Sequence, residues 1–424
     1  MTQTKGKFML GFVLVTSMFF MWGLANNMTD TLLAAFKKIM SMSDFQTSWI
    51  QIAFYGSYFC LAIPAAMLIK KYFYKTGILV GLGMFIVGAL LFYPASQTMV
   101  YGHFLTALFI LAGGLSILET TANPYVLAMG DEASSIKRLN LAQSFNPIGS
   151  ISGVVLSKYV ILDNLNTADA TIRASMSEAE LMAMKNEELS AVMGAYVGVA
   201  FLLLVIWLVI KFADMPKVKE GHEIHLFASF SHLFKMPNYR FGVIAQFFYV
   251  GAQIGVWSFT IRYVMQELGM NESEAANVYL TSLMVFTVAR FLFTGLLNRF
   301  GAAQLMIASS LIAVVCTATV VLTGGMIGVV ALVLISGCMS LMFPTIFGMA
   351  LIGTGEHQKI AGSGLIMAIL GGAVLTAIQG QVSDSFGSIN VSYIVPLACF
   401  LVVAYYGFSQ KVKVKLTAEK GENL

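Results

Sequence analysis

The feature that most constrains this chain is a series of apolar runs, most of them about twenty residues long or more, repeated from Phe8 almost to the C-terminus. About twenty apolar residues in a helix cross the ~30 Å hydrocarbon core of a bilayer, whereas a helix on a water-soluble core needs only an apolar stripe. By that rule the sequence predicts helices near 8–36, 47–69, 75–95, 98–128, 139–162 and 190–212. A second set is expected near 241–266, 274–298, 302–323, 327–353, 358–382 and 389–410. The expected fold class is an all-α polytopic membrane protein with twelve transmembrane helices. Only 11% of the 424 residues are charged, against about 25% in soluble domains, so this surface cannot face water everywhere. The first run follows Lys5 and Lys7 and passes Asn27 without a small-residue cleavage site, so it is expected to be a retained span.

Basic residues set the expected orientation, because they are enriched in cytoplasmic loops. With the N-terminus inside, eighteen of the 25 Lys and Arg residues fall on the cytoplasmic side. Six fall outside: Lys37, Lys38, Lys158, Arg173, Lys185 and Arg262. Both termini are therefore expected in the cytoplasm. The acidic stretch 163–189 reads as an external loop with a short helix. The basic stretch 213–240, which carries Pro216 and Pro237, reads as a cytoplasmic linker. It separates an N-terminal six-helix bundle, 1–212, from a C-terminal one, 241–424, with a short basic tail.

A faint repeat supports that division. The runs ending Pro64 to Gly77 and Thr294 to Gly301 both close an apolar helix with a tight basic turn. Two similar halves are typical of secondary transporters.

Several function classes are excluded by what the chain carries. A net charge of +4 without a basic block gives no footprint for nucleic acid. Cys60, Cys316, Cys338 and Cys399 sit in apolar runs without CxxC spacing and read as small core hydrophobes. His222, His225 and His232 lie in the linker without completing carboxylates or cysteines, so a solvated loop with an interfacial helix over 226–234 is expected there. No metal, cofactor or nucleophile motif is expected, and the chain does not read as an enzyme.

Charges inside a span cost about 2.5–3.5 kcal/mol each on insertion scales, so each one is a functional candidate. Three stand out. Asp30 follows Trp22-Gly-Leu-Ala-Asn-Asn-Met-Thr and shares a helical face with Asn27; the bland reading is that the two satisfy each other or cap a frayed end. Glu119 sits in Leu118-Glu-Thr-Thr-Ala-Asn-Pro-Tyr125, where Pro124 leaves the Thr120 carbonyl without its helical donor. Two carboxyls in one half are the chemistry of proton coupling, one facing the cavity and the other held deeper. Arg290, near the Asn298-Arg299 turn, reads as gating or structural, paired with a carboxylate or with carbonyls.

Amides suit hydroxyl-rich solutes because they both donate and accept. Gln143 and Asn146 stand three apart at the opening of the fifth span, with interhelical packing as the competing reading. Gln246, Tyr249, Gln253 and Trp257 form a polar-aromatic stripe on the seventh, where rings can cover the C–H face of a sugar or simply pack. His103 reads as interfacial.

Phe20-Met-Trp-Gly-Leu-Ala-Asn-Asn-Met-Thr-Asp30, Leu118-Glu-Thr-Thr-Ala-Asn-Pro-Tyr125 and Arg138-Leu-Asn-Leu-Ala-Gln-Ser-Phe-Asn146 together carry a resemblance. Phe343-Pro-Thr-Ile-Phe347 and Gly371-Gly372 extend it over nearly the whole chain. The sequence resembles the major facilitator superfamily and, within it, the fucose–galactose–glucose:proton symporter family. The resemblance implies two six-helix bundles, with Asp30 and Glu119 as the proton-coupling pair and Asn27, Gln143 and Asn146 lining a sugar cavity. It departs in the loop after the second span, where Ala-Ala-Met-Leu-Ile-Lys-Lys replaces the usual Gly, Asp and Gly-Arg. It departs again at Phe343, where this family can carry a tyrosine.

The expected function is proton-coupled uptake of L-fucose or a related hexose by alternating access. The expected setting is a monomer in the bacterial inner membrane, with a sugar and a proton as its only partners besides lipid. Two rivals share the fold: a proton-driven exporter of apolar compounds and a sodium-coupled hexose carrier. A membrane enzyme or sensor finds no supporting motif.

Overall fold

The computed structural model describes residues 2–39, 44–98, 100–160, 170–216 and 226–421. Among them there is no strand. The helices are α1 (Thr2–Ile39), α2 (Asp44–Lys71), α3 (Tyr74–Thr98), α4 (Tyr101–Ala128), α5 (Ser135–Gln143), α6 (Phe145–Val160), α7 (Ala170–Ser175), α8 (Glu178–Phe212) and α9 (Leu226–Lys235). They continue as α10 (Pro237–Leu268), α11 (Glu272–Leu296), α12 (Ala302–Thr323), α13 (Gly325–Met339), α14 (Met342–Leu351), α15 (Gln358–Met367), α16 (Gly371–Phe386), α17 (Ile389–Ser392) and α18 (Ile394–Gly421). Only hydrogen-bonded helices of this kind satisfy every backbone group in hydrocarbon without closing a barrel.

Eleven helical stretches among the described residues are long and apolar enough to cross a membrane. The fifth run is not among them, and it is not one helix. A single helix is expected over 139–162, but the chain breaks at Ser144 into α5 and α6, of 9 and 16 residues. Pro147 explains the break: it has no N–H to offer the carbonyl four residues back, that of Gln143. Gln143 and Asn146 therefore do not share the face of one continuous helix, as their spacing predicts. The tenth run breaks in the same way. There α13 ends at Met339, α14 begins at Met342, and Pro344 leaves the carbonyl of Ser340 without its donor. The eleventh passes from α15 to α16 through a 3-10 turn over Ala368–Leu370.

The stretch expected to be external also differs from expectation. α7 is the short helix expected in 163–189, but α8 starts at Glu178 rather than near 190 and runs for 35 residues. At 1.5 Å per residue that is about 52 Å, well beyond the hydrocarbon thickness, so its first turns stand outside it. Ser177 and Glu180 form a reciprocal capping box that starts it. The linker helix expected over 226–234 is α9; His222 and His225 lie outside the described residues.

The chain forms two compact units. One comprises Met1–Tyr125 with Phe145–Val218, the other Val126–Ser144 with Lys219–Leu424. In each, many hydroxyl and amide side chains are buried and many large apolar ones are exposed. In the first, Ser57, Ser116, Thr120, Thr121 and Asn123 are buried while Phe201, Val205 and Phe212 are exposed. In the second, Ser282, Ser310 and Thr345 are buried while Val288, Val315 and Leu322 are exposed. Lipid as solvent imposes this arrangement, since buried hydroxyls can bond to neighbouring backbone.

Cys316, Cys338 and Cys399 are buried as expected, but Cys60 is exposed. It lies two residues from the buried Tyr58, about 200° round α2.

Close helix contacts in each unit rest on glycine. A Cβ on Gly149 of α6 would stand 1.9 Å from the main-chain oxygen of Phe20 on α1. A Cβ on Gly371 of α16 would stand 2.0 Å from that of Phe247 on α10. The backbones pack at a distance that only hydrogen allows.

Candidate functional site

The first unit holds its polar centre between α2 and α4. Three hydrogen bonds tie these helices. Ser57 Oγ donates to the Phe109 carbonyl at 2.7 Å and Ser116 Oγ to the Tyr58 carbonyl at 3.0 Å. The Tyr58 hydroxyl donates to Glu119 Oε1 at 2.9 Å. Glu119 is 1% exposed, and its second oxygen, Oε2, is buried without a partner. The local helix is stitched by its own side chains: Asn123 Nδ2 donates to the Glu119 carbonyl and Thr121 Oγ1 to that of Ile117. α4 thus continues as a helix through Pro124 to Ala128.

Asn27 Nδ2 donates to the Gly23 carbonyl at 3.2 Å, on its own helix. Asp30 lies in α1, but its side chain falls outside the described residues. Asn146 Nδ2 donates to the Phe19 carbonyl at 3.3 Å, so this amide joins α6 to α1, the packing reading set beside the sugar one.

The second unit gathers its polar groups around the broken tenth run. Arg290 is 3% exposed. Its Nη1 donates to the Gln143 carbonyl at 3.0 Å and its Nε to the Ser340 carbonyl at 2.5 Å. These are the two carbonyls that Pro147 and Pro344 leave open. The guanidinium also stands 4.7 Å over the Phe286 ring. Of the partners expected for Arg290, carboxylate or carbonyl, the structure has carbonyls. Nearby on the same broken helix, Tyr249 Oη donates to the Met339 carbonyl at 3.0 Å, and Asn140 Nδ2 approaches Thr345 Oγ1 at 3.3 Å.

The stripe on α10 divides by what each polar atom does. Trp257 Nε1 donates to Ser336 Oγ at 3.2 Å, so it and Tyr249 are both engaged with α13. Gln253 is half-buried. Gln246 is fully buried, and neither its Oε1 nor its Nε2 has a partner. His103 is exposed and meets Thr98 at 2.7 Å. No group of three metal-ligating side chains occurs among the described residues.

Residues 11–377 match the Major Facilitator Superfamily. The chain belongs to that superfamily. It is 40% identical over 414 residues to an L-fucose-proton symporter of Haemophilus influenzae, spanning 95% of this chain and 96% of the relative. It is 32% identical over 410 residues to a glucose/galactose transporter of Brucella abortus, spanning 96% of each. The crystal structure of the superfamily transporter FucP in the outward conformation aligns with a TM-score of 0.89 at 38% identity, covering 95% of this chain and 98% of that one. These relatives are carriers, not enzymes.

Against that background, one residue of this major facilitator stands out as missed by sequence reasoning. Tyr58 sits 61 positions from Glu119 in a run of aromatic residues, and no local spacing marks it as the carboxyl's partner. The two proline-freed carbonyls, by contrast, were open to inspection in the sequence.

Proposed function

We propose that this major facilitator is a sugar:proton symporter that takes up L-fucose or a closely related hexose by alternating access. The observation that carries the reading is Glu119: a carboxyl fully buried among apolar helices, held at Oε1 by Tyr58 and open at Oε2. Such a group carries a charge in one protonation state and none in the other, so its titration changes what the protein moves through the bilayer. With about 2.3 kcal/mol per charge per 100 mV, a membrane potential then concentrates an uncharged sugar. The L-fucose-proton symporter relative, alike over nearly the whole chain, supports the same reading.

In this reading Asp30 shares the proton role with Glu119. Asn27, Gln143, Asn146, Gln246, Tyr249, Gln253 and Trp257 serve the sugar, and Arg290 and Pro124 the gating. Of the sugar candidates, Gln246 has the strongest support, since both ends of its amide await a partner. We further propose twelve spans, counting α5 with α6 as one, in two six-helix bundles joined by the linker 213–240. Both termini are cytoplasmic, and the protein works as a monomer in the bacterial inner membrane.

The deciding experiment is sugar-induced proton uptake in proteoliposomes, with L-fucose, galactose and glucose compared. Alkalinisation with L-fucose establishes ion and substrate together. Labelled sugar entering with no pH change for any hexose rejects proton coupling and favours sodium.

A further inference from the structure

Tyr58 bears on how that proton site works, and this step rests on the reading of Glu119 as the proton carrier. Tyr58 is 2% exposed, and its ring packs tilted against that of Phe54 with centroids 5.3 Å apart. Its place on α2 is held from both sides, by Ser57 Oγ on the Phe109 carbonyl and by Ser116 Oγ on Tyr58's own carbonyl. Its hydroxyl donates to Glu119 Oε1 at 2.9 Å, from α2 across to α4, while Glu119 Oε2 is buried without a partner.

We infer that Tyr58 is a positioning residue for proton transfer, which reserves Glu119 Oε1 as a hydrogen-bond acceptor and leaves Oε2 as the atom that gains and loses the proton. In the loading step an O–H bond forms at Oε2, and the proton comes from water reaching the site. In the release step that bond breaks and the proton returns to water. The Tyr58 proton stays on the phenol throughout, so the phenol fixes the carboxyl's orientation and does not relay.

The test compares Tyr58→Phe, Ser116→Ala and Glu119→Gln in proteoliposomes, reading sugar-dependent proton uptake, sugar exchange and sugar binding. Tyr58→Phe keeps the ring and removes only the donor. Its proton-linked uptake is expected to fall about tenfold, the change that one hydrogen bond to a charged group supports, with exchange falling less and binding kept. Ser116→Ala leaves the phenol in place and loosens the hold on the Tyr58 carbonyl, so it should lower uptake the same way by less, which keeps the idea testable if Tyr58→Phe does not insert. Uptake and exchange of both variants equal to those of the unsubstituted protein would reduce Tyr58 to packing and overturn the inference, provided Glu119→Gln has lost proton-linked accumulation. If Glu119→Gln still accumulates sugar against a gradient, the reading of Glu119 itself fails, and the role inferred for Tyr58 goes with it.

Discussion

The guanidinium of Arg290 stands 3.0 Å from the main-chain oxygen of Gln143, the carbonyl that Pro147 deprives of its helical donor. Its Nε reaches the matching carbonyl of Ser340, deprived by Pro344. One buried cation thus repairs two proline breaks, in the fifth and tenth runs, with a planar fork whose donors point in fixed directions. Lysine has a point charge and cannot reproduce that fork. Arg290→Met should lower the melting temperature in detergent, since each lost charge-assisted bond is worth about 1.5–3 kcal/mol. Uptake should fall at least about tenfold, corresponding to ~1.4 kcal/mol. Arg290→Lys should recover only part of either loss. An Arg290→Met protein that melts and transports like the parent would show that the breaks hold without the clasp.

Gly149 and Gly371 set a second expectation. Each sits where another helix's carbonyl oxygen occupies the place of a Cβ, that of Phe20 in one case and Phe247 in the other. Backbone cannot rotate out of the way as a side chain can. Gly149→Ala and Gly371→Ala should each destabilise by about 1–3 kcal/mol, the range for overpacking. Gly198 on α8 has no atom within 4 Å of its would-be Cβ and is exposed. Gly198→Ala should therefore be neutral or slightly stabilising. Thermal unfolding of the three variants in one detergent makes the comparison, and equal tolerance at all three positions would refute the tight-contact argument.

How far the sequence speaks for itself depends on the range of the interaction. Span positions were legible because length and apolarity act within one segment. Glu119 was legible because a lone carboxyl among Ile117, Leu118 and Ala122 has no local excuse. The breaks at Ser144 and Ser340 follow from prolines three and four residues on, yet the spans read as continuous because apolarity runs through them unbroken. Partner identity was not legible. The stripe of Gln246, Tyr249, Gln253 and Trp257 was visible on α10, but nothing in its spacing says that Tyr249 and Trp257 commit their polar atoms to Met339 and Ser336 while Gln246 commits neither of its own. Tyr58 looked like one aromatic among Phe54, Tyr55 and Phe59, and only the packing of α2 on α4 brings it to the carboxyl.

Arg173 and Glu188 form a buried, two-pronged ion pair, Nη1 to Oε2 at 3.0 Å and Nη2 to Oε1 at 2.5 Å. The pair fastens α7 to the extended start of α8. Removing one partner of a buried pair typically costs about 3–5 kcal/mol, and removing both typically costs less. Arg173→Met and Glu188→Leu should each destabilise strongly, and the double variant should be more stable than either. A double-mutant cycle by thermal unfolding measures this. Strictly additive losses would mean that the two charges do not depend on each other.

Gln246 gives the most discriminating prediction, because stability and function should move in opposite directions. Its amide is fully enclosed, and both polar atoms lack partners in the protein. A buried polar group left unsatisfied costs about 1–3 kcal/mol. A chain selected only for stability would replace it with an isosteric hydrocarbon. Gln246→Leu should therefore raise the melting temperature of the sugar-free protein. If the amide is kept to meet sugar hydroxyls, the same variant should weaken sugar binding at least about tenfold, or ~1.4 kcal/mol. The added sugar should then stabilise the parent against heat and leave Gln246→Leu unmoved. Calorimetric titration and paired melting curves with and without L-fucose separate the two effects. A variant that is more stable and still binds would mark Gln246 as a tolerated defect of packing, and a variant that is less stable would show that the amide already has partners that hold the fold.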